Sequence, residues 1–184
     1  MRSVVQMSWV QQILEAVGRR SEDVHVDWPT VESELGTPLP ADFKQLCEVF
    51  GRGEFNGFLY LYTSKGGTHL EVIDSLRRLH RALDRFPEAE SVYDPYRIYA
   101  PGKEGLIRWA GAAAEGYEYF WLANDPDPEH WPIVARTDHT EEWHTYRMST
   151  SEFVHRMLTD EEFKPFTMTG YAPSPKYASY ADPE

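Results

Sequence analysis

Cysteine is nearly absent from this sequence: Cys47 stands alone among 184 residues, which excludes an internal disulfide. Its position on an apolar helical stripe makes it a buried packing residue rather than a reactive thiol. No apolar run is long enough to span a bilayer, and Gln6, Ser8, Gln11 and Gln12 interrupt any signal-peptide core near the N-terminus. A soluble cytoplasmic protein is therefore expected. Positive charge is scarce too, with 18 basic against 30 acidic residues and a net charge of −12. That balance argues against direct nucleic-acid binding and against anionic membranes, both of which reward positive potential. Enzyme signatures are missing as well. There is no G-x-G-x-x-G, no phosphate-binding G-x-x-x-x-G-K-(S/T), no H-E-x-x-H and no G-x-S-x-G. No catalytic residue, no metal ligand set and no cofactor is assigned.

What is present begins with local helix grammar. Ser8 is placed to cap a first helix with Val10, Ile13, Leu14 and Val17 on one face. Asp27 caps a second, Pro29 fits its first turn, and Trp28, Val31 and Leu35 form its apolar stripe up to Gly36. Thr37-Pro38-Leu39-Pro40 is held extended, because each proline restricts the residue before it. A third helix follows with Phe43, Leu46, Cys47 and Phe50 in register, ended by Gly51 and Gly53. This pair of helices at a proline elbow is the most determined local structure in the chain.

Beyond Gly53 the period changes. Phe58–Tyr62 reads as a buried strand, and Thr68–Phe86 as a helix with a seam of Val72, Leu76, Leu79, Leu83 and Phe86. Arg77, Arg81 and Arg85 stack on another face of that helix, with Arg78 nearby. Such a stripe invites a nucleic-acid reading. Asp74 and Asp84 on the same helix, in a negative overall field, favour a solvated face paired with the protein's own carboxylates.

Pro87–Gly105 is irregular, with room for a short strand at Arg97–Tyr99. Leu106–Ala112 and Tyr117–Ala123 form a predicted hairpin, with Tyr117, Tyr119 and Trp121 on one side and Phe120 and Leu122 on the other. Strands are also predicted at Trp131–Ala135 and Trp143–Met148, before a helix capped by Ser149 or Thr150 that carries Phe153, Val154, Met157 and Leu158. The expected fold is α+β: a mainly antiparallel sheet of about five or six strands packed with N-terminal helices and one C-terminal helix. Residues 1–163 make a single domain. From Lys164 onward, isolated tyrosines among Pro, Ala and Ser offer no periodic face, so residues 164–184 are expected to be a disordered or loosely docked tail.

Charge is distributed unevenly. Glu115–Glu142 holds eight acidic residues against one basic residue, Arg136, and so carries more than half of the net charge. Asp125, Asp127, Glu129 and His130, with His139 and His144 beyond them, could be read as cation ligands. The loop lacks the glycine turn of a calcium site, however, and Pro126 and Pro128 hold it extended, so a solvated acidic loop is the better reading. Asp125, Asp127, Glu129, Asp138, Glu141 and Glu142 are the candidate residues for binding a basic protein partner.

The elbow also carries a family resemblance. Trp28, Glu32, Leu35-Gly36, Leu39-Pro40, Asp42-Phe43-Lys44 and Phe50-Gly51-x-Gly53 resemble the signature of the SUKH superfamily. Trp109 and Trp121 in the predicted hairpin, and the strand and helix after Trp143, extend the likeness to about residue 160. That superfamily joins the fungal cell-wall synthesis regulator with many bacterial immunity proteins. The resemblance implies a binding protein: an immunity protein that occludes a cognate toxin domain, often a nuclease, whose basic groove would suit the acidic segment. The other reading is a regulatory or scaffold module, as in the fungal branch, working through its hairpin face or its tyrosine-rich tail.

Overall fold

A computed structural model describes residues 7–112, 116–137, 142–163 and 174–181. The helices begin where the sequence supplies caps. Helix α1 (Trp9–Ala16) starts with the Ser8 hydroxyl accepting from Gln11 N, and α2 (Trp28–Leu35) with the Asp27 carboxylate accepting from Thr30 N. Gly36 ends α2 at φ 80°, a left-handed conformation that glycine adopts without penalty. Helix α3 (Ala41–Phe50) follows the elbow. Strands β1 (Gly53–Phe55) and β2 (Leu59–Leu61) come next, then helix α4 (Glu71–Arg85). The long hairpin is β3 (Gly105–Ala112) and β4 (Tyr117–Ala123); β5 (Ile133–Thr137) and β6 (His144–Tyr146) follow. Helix α5 (Thr150–Thr159) is capped by Ser149, whose hydroxyl accepts from Glu152 N, and β7 (Tyr177–Ser179) comes last.

The fold is α+β as expected, but the described residues form a seven-stranded antiparallel sheet rather than five or six strands, in the order β6-β5-β4-β3-β2-β1-β7. The two strands missing from the sequence reading are β1 and β7. Gly53 reads as a helix terminator, yet it also opens a strand. Within the tail, residues 177–179 pair with β1, bury Tyr177 and place its hydroxyl on Phe50 O at 2.8 Å. The remaining tail positions, 164–173 and 182–184, lie outside the described residues.

Alternation along the central strands sends side chains to two cores. On one face Ile107, Trp109, Tyr119, Trp121, Ile133 and Ala135 pack against α1, α2, α3 and α5. Phe43 meets Trp121 edge-on at 4.7 Å, and Trp109 stacks on Trp121 at 5.9 Å. On the other face Leu106, Phe120 and Val134 meet Leu76, Leu79 and Leu83 of α4, with Tyr93, Tyr96 and Trp143 closing the edge. An irregularity between Arg108 and Ala110 shifts the β3–β4 register, so Trp109 and Ala110 both reach the first core.

The predicted seam of α4 is only partly correct. Val72 is buried and Leu76, Leu79 and Leu83 are half-buried, but Phe86 is 49% exposed, because the helix ends at Arg85 and Phe86 leaves its register. The Arg97–Tyr99 segment makes a single bridge, Ile98 to Leu106, rather than a strand. Among the described residues, no helix is long and apolar enough to cross a membrane.

Candidate partner-binding surface

The loop from Asn124 to Pro132 joins β4 to β5 at one end of the sheet. Its shape follows from side chains that cap its own backbone: Asp125 Oδ1 accepts from Asp127 N at 2.8 Å, and Asp127 Oδ1 accepts from Glu129 N at 3.0 Å. Pro128–His130 then forms a single 3₁₀ turn. Trp131 anchors the loop from below, donating through Nε1 to Asp125 O at 2.7 Å while its ring lies in the main core. Asp125 and Asp127 keep side chains 41% and 53% exposed, with the exposed His130 ring within 3.5 Å of Asp125 Oδ1 and 4.0 Å of Asp127 Oδ2.

Glu129 has a different role from its neighbours. Its Oε1 accepts from Ala41 N at 2.6 Å, at the first turn of α3, where Pro40 offers no side-chain cap. It is therefore tied to the helix terminus through one oxygen, while the residue itself stays exposed. Glu142 is separated from the loop by the length of the sheet. Strand β5 runs away from the loop and Glu142 precedes β6 at its far end, about 15 Å along the strands. Its side chain is 78% exposed. Asp138, Glu141 and Glu115 lie outside the described residues.

Glu118, also part of the acidic segment, is buried on the α4 side of the sheet. Arg136 Nε reaches its Oε2 at 3.1 Å and Arg108 reaches its Oε1 at 3.4 Å. The Arg136 guanidinium also lies 4.2 Å over the Trp143 ring and donates to Val92 O. Glycine at position 111, paired with Glu118 across the hairpin, leaves room for Arg108: a Cβ there would fall 2.9 Å from an Arg108 nitrogen. The five acids of this block among the described residues thus separate into an exposed loop, a helix cap, a buried ion pair and a residue at the opposite end.

Between this loop and residues 99–104 opens a cleft of about 380 Å³, bordered by Thr37, Tyr99, Lys103, Asn124, Asp125 and Trp131. Burial raises the Tyr99 phenol above its ordinary value. Among the described residues, no three His, Cys, Asp or Glu side chains are grouped to hold a metal ion. Cys47 is fully buried, and that burial pushes its thiol well up, reinforced by the charges of Glu48 and Glu71. On α4, Arg77 pairs with Glu34 and approaches Asp74, while Arg85 lies over Phe86, so part of the arginine stripe is engaged within the chain.

The signature residues of the elbow are used internally. Glu32 Oε1 accepts from Leu39 N at 2.9 Å and from Lys44 Nζ at 2.8 Å, closing the elbow. Trp28 Nε1 donates to Glu48 at 2.7 Å. Leu35, Leu39, Pro40 and Phe43 are buried, and Gly51 ends α3 at φ 62°. Asp42 Oδ2 accepts from Ser151 N at 2.5 Å, fastening α3 to the start of α5. Trp121 Nε1 donates to Thr150 Oγ1 at 2.9 Å, and Trp109 is buried beside it.

Compared with known proteins, the chain matches no family model, no curated protein and no solved structure.

Proposed function

We propose that this chain is a non-catalytic, cytoplasmic protein-binding domain, an immunity protein that occludes a cognate toxin. The observation that carries the reading is the Asp125–Glu129 loop: two outward carboxylates on a backbone stiffened by two prolines and braced by Glu129 and Trp131. A surface ordered before binding loses little entropy on contact. Exposed charge on such a surface speeds encounter with a basic face. A toxin that handles nucleic acid presents a face of that kind, and occlusion replaces its substrate with protein. The motif likeness to immunity proteins supports the same reading.

The regulatory or scaffold reading has less surface to use. The aromatics of the β3–β4 hairpin are divided between two cores: Tyr119 and Trp121 in one, Phe120 in the other. Co-expression with the product of the neighbouring gene tests the proposal. Rescue from toxicity together with a stable complex is the expected result. A toxic neighbour that is neither bound nor neutralised would refute it.

A further inference from the structure

Residues 176–180 meet β1 in the way a peptide meets a sheet edge. Gly53, Glu54 and Phe55 pair antiparallel with Ser179, Ala178 and Tyr177. Hydrogen bonds continue at both ends: Lys176 N donates to the Asn56 side-chain Oδ1 at 2.9 Å, Asn56 N to Lys176 O at 3.0 Å, and Tyr180 N to Arg52 O at 2.9 Å.

Side chains then read the segment from both faces. Tyr177 enters the main core between Phe50 and Phe55, with ring centroids 5.0 and 4.8 Å away. Tyr180 turns to the other face, stacks on Tyr60 at 5.7 Å and donates to Glu54 at 3.1 Å. The receiving side is cut to fit: a Cβ on Gly53 would fall 2.3 Å from Ala178 O and 2.4 Å from the Tyr177 hydroxyl. Small Ser179 is buried, whereas Ala178 faces solvent. Beside the docked segment a cleft of about 660 Å³ remains open, lined by Glu54, Asn56, Gly57 and Lys176 among others.

We propose that the β1 edge is a strand-addition site for an extended peptide of the pattern Tyr-x-Ser-Tyr. The chain's own Tyr177–Tyr180 is its resident occupant, and a partner segment of that pattern takes its place. Backbone pairing supplies affinity and the two tyrosine positions supply specificity, as in other sheet-edge recognition. Tethering in cis favours the resident, so a free peptide competes weakly until the resident is weakened. This surface is separate from the Asp125–Glu129 loop, and the proposal holds or fails independently of the toxin reading.

The test uses the full chain and a fluorescent peptide spanning Ser174–Ala181. A Tyr177→Ala/Tyr180→Ala variant should bind the peptide saturably and at least about tenfold tighter than the wild type does. A peptide carrying Tyr177→Ala should not bind. Equal binding to both proteins, or no binding to a variant that still unfolds cooperatively, would overturn the proposal. So would a variant that loses cooperative unfolding, because the segment would then be core rather than occupant.

Discussion

Glu129 closes the N-terminus of α3: its Oε1 accepts the Ala41 amide proton at 2.6 Å across 88 positions of sequence. The first N–H groups of a helix have no partner within it, and a carboxylate there is also favoured by the helix dipole. The preceding residue, Pro40, cannot provide the contact. Glu129→Ala should therefore lose about 1 kcal/mol of unfolding free energy in a urea titration, the usual scale of a lost cap. Glu142→Ala, at an exposed position, should stay within about 0.5 kcal/mol of the wild type. Equal effects would refute the distinction between the two acids.

Asp42 does for α5 what Glu129 does for α3, reaching Ser151 N with Oδ2 at 2.5 Å. Because this contact is charge-assisted and half-buried, Asp42→Ala should cost roughly 1.5–3 kcal/mol. Asp42→Asn keeps an acceptor and should recover part of that loss. Denaturant midpoints at a constant slope would check both.

These two contacts also show how far the sequence could be read. Ser8, Asp27 and Ser149 announce their helices because a cap acts within three residues, and the elbow's prolines and glycines act locally too. Alternation in Tyr119-Phe120-Trp121-Leu122 reported a two-sided strand correctly. Glu129 and Asp42 act on distant backbone, so nothing near them in sequence reveals the role. Glu118 looks like surface charge until Arg136 and Arg108 are brought beside it by strand pairing. Strand β7 is hidden in the sequence for the same reason. Tyr177 has no apolar periodicity around it, and its pocket is built from Phe50 and Phe55, more than a hundred residues earlier.

The fit between Gly53 and Tyr177 gives a separate prediction. Any side chain at position 53 collides with Ala178 O and the Tyr177 hydroxyl, so Gly53→Val should unseat β7. Tryptic cleavage after Lys176 should then accelerate several-fold, because an edge strand must open to be cut. Unchanged cleavage in a folded Gly53→Val protein would contradict the packing described.

Stability should also depend on His155, whose ring lies 5.1 Å from Trp9 where α1 meets α5. Burial lowers its proton affinity below the ordinary 6.5, with Arg156 adding to the effect and Asp160 opposing it. Between that lowered value and 6.5 the unfolded chain binds more protons than the folded one, so stability falls as pH falls through this window. Between about pH 7 and about pH 5 the wild type should lose more stability than His155→Phe, which keeps a ring but does not titrate. Parallel pH profiles would exclude His155 as a source.

The most direct test of the binding proposal is the association rate with the toxin partner, measured across a salt titration. Asp125→Asn/Asp127→Asn removes the two exposed loop charges and keeps the side-chain oxygens that accept from Asp127 N and Glu129 N. The predicted result is association about tenfold slower at low salt, with a flattened salt dependence and a nearly unchanged dissociation rate. Association rates that match the wild type at every salt concentration would contradict a partner-binding role for this loop.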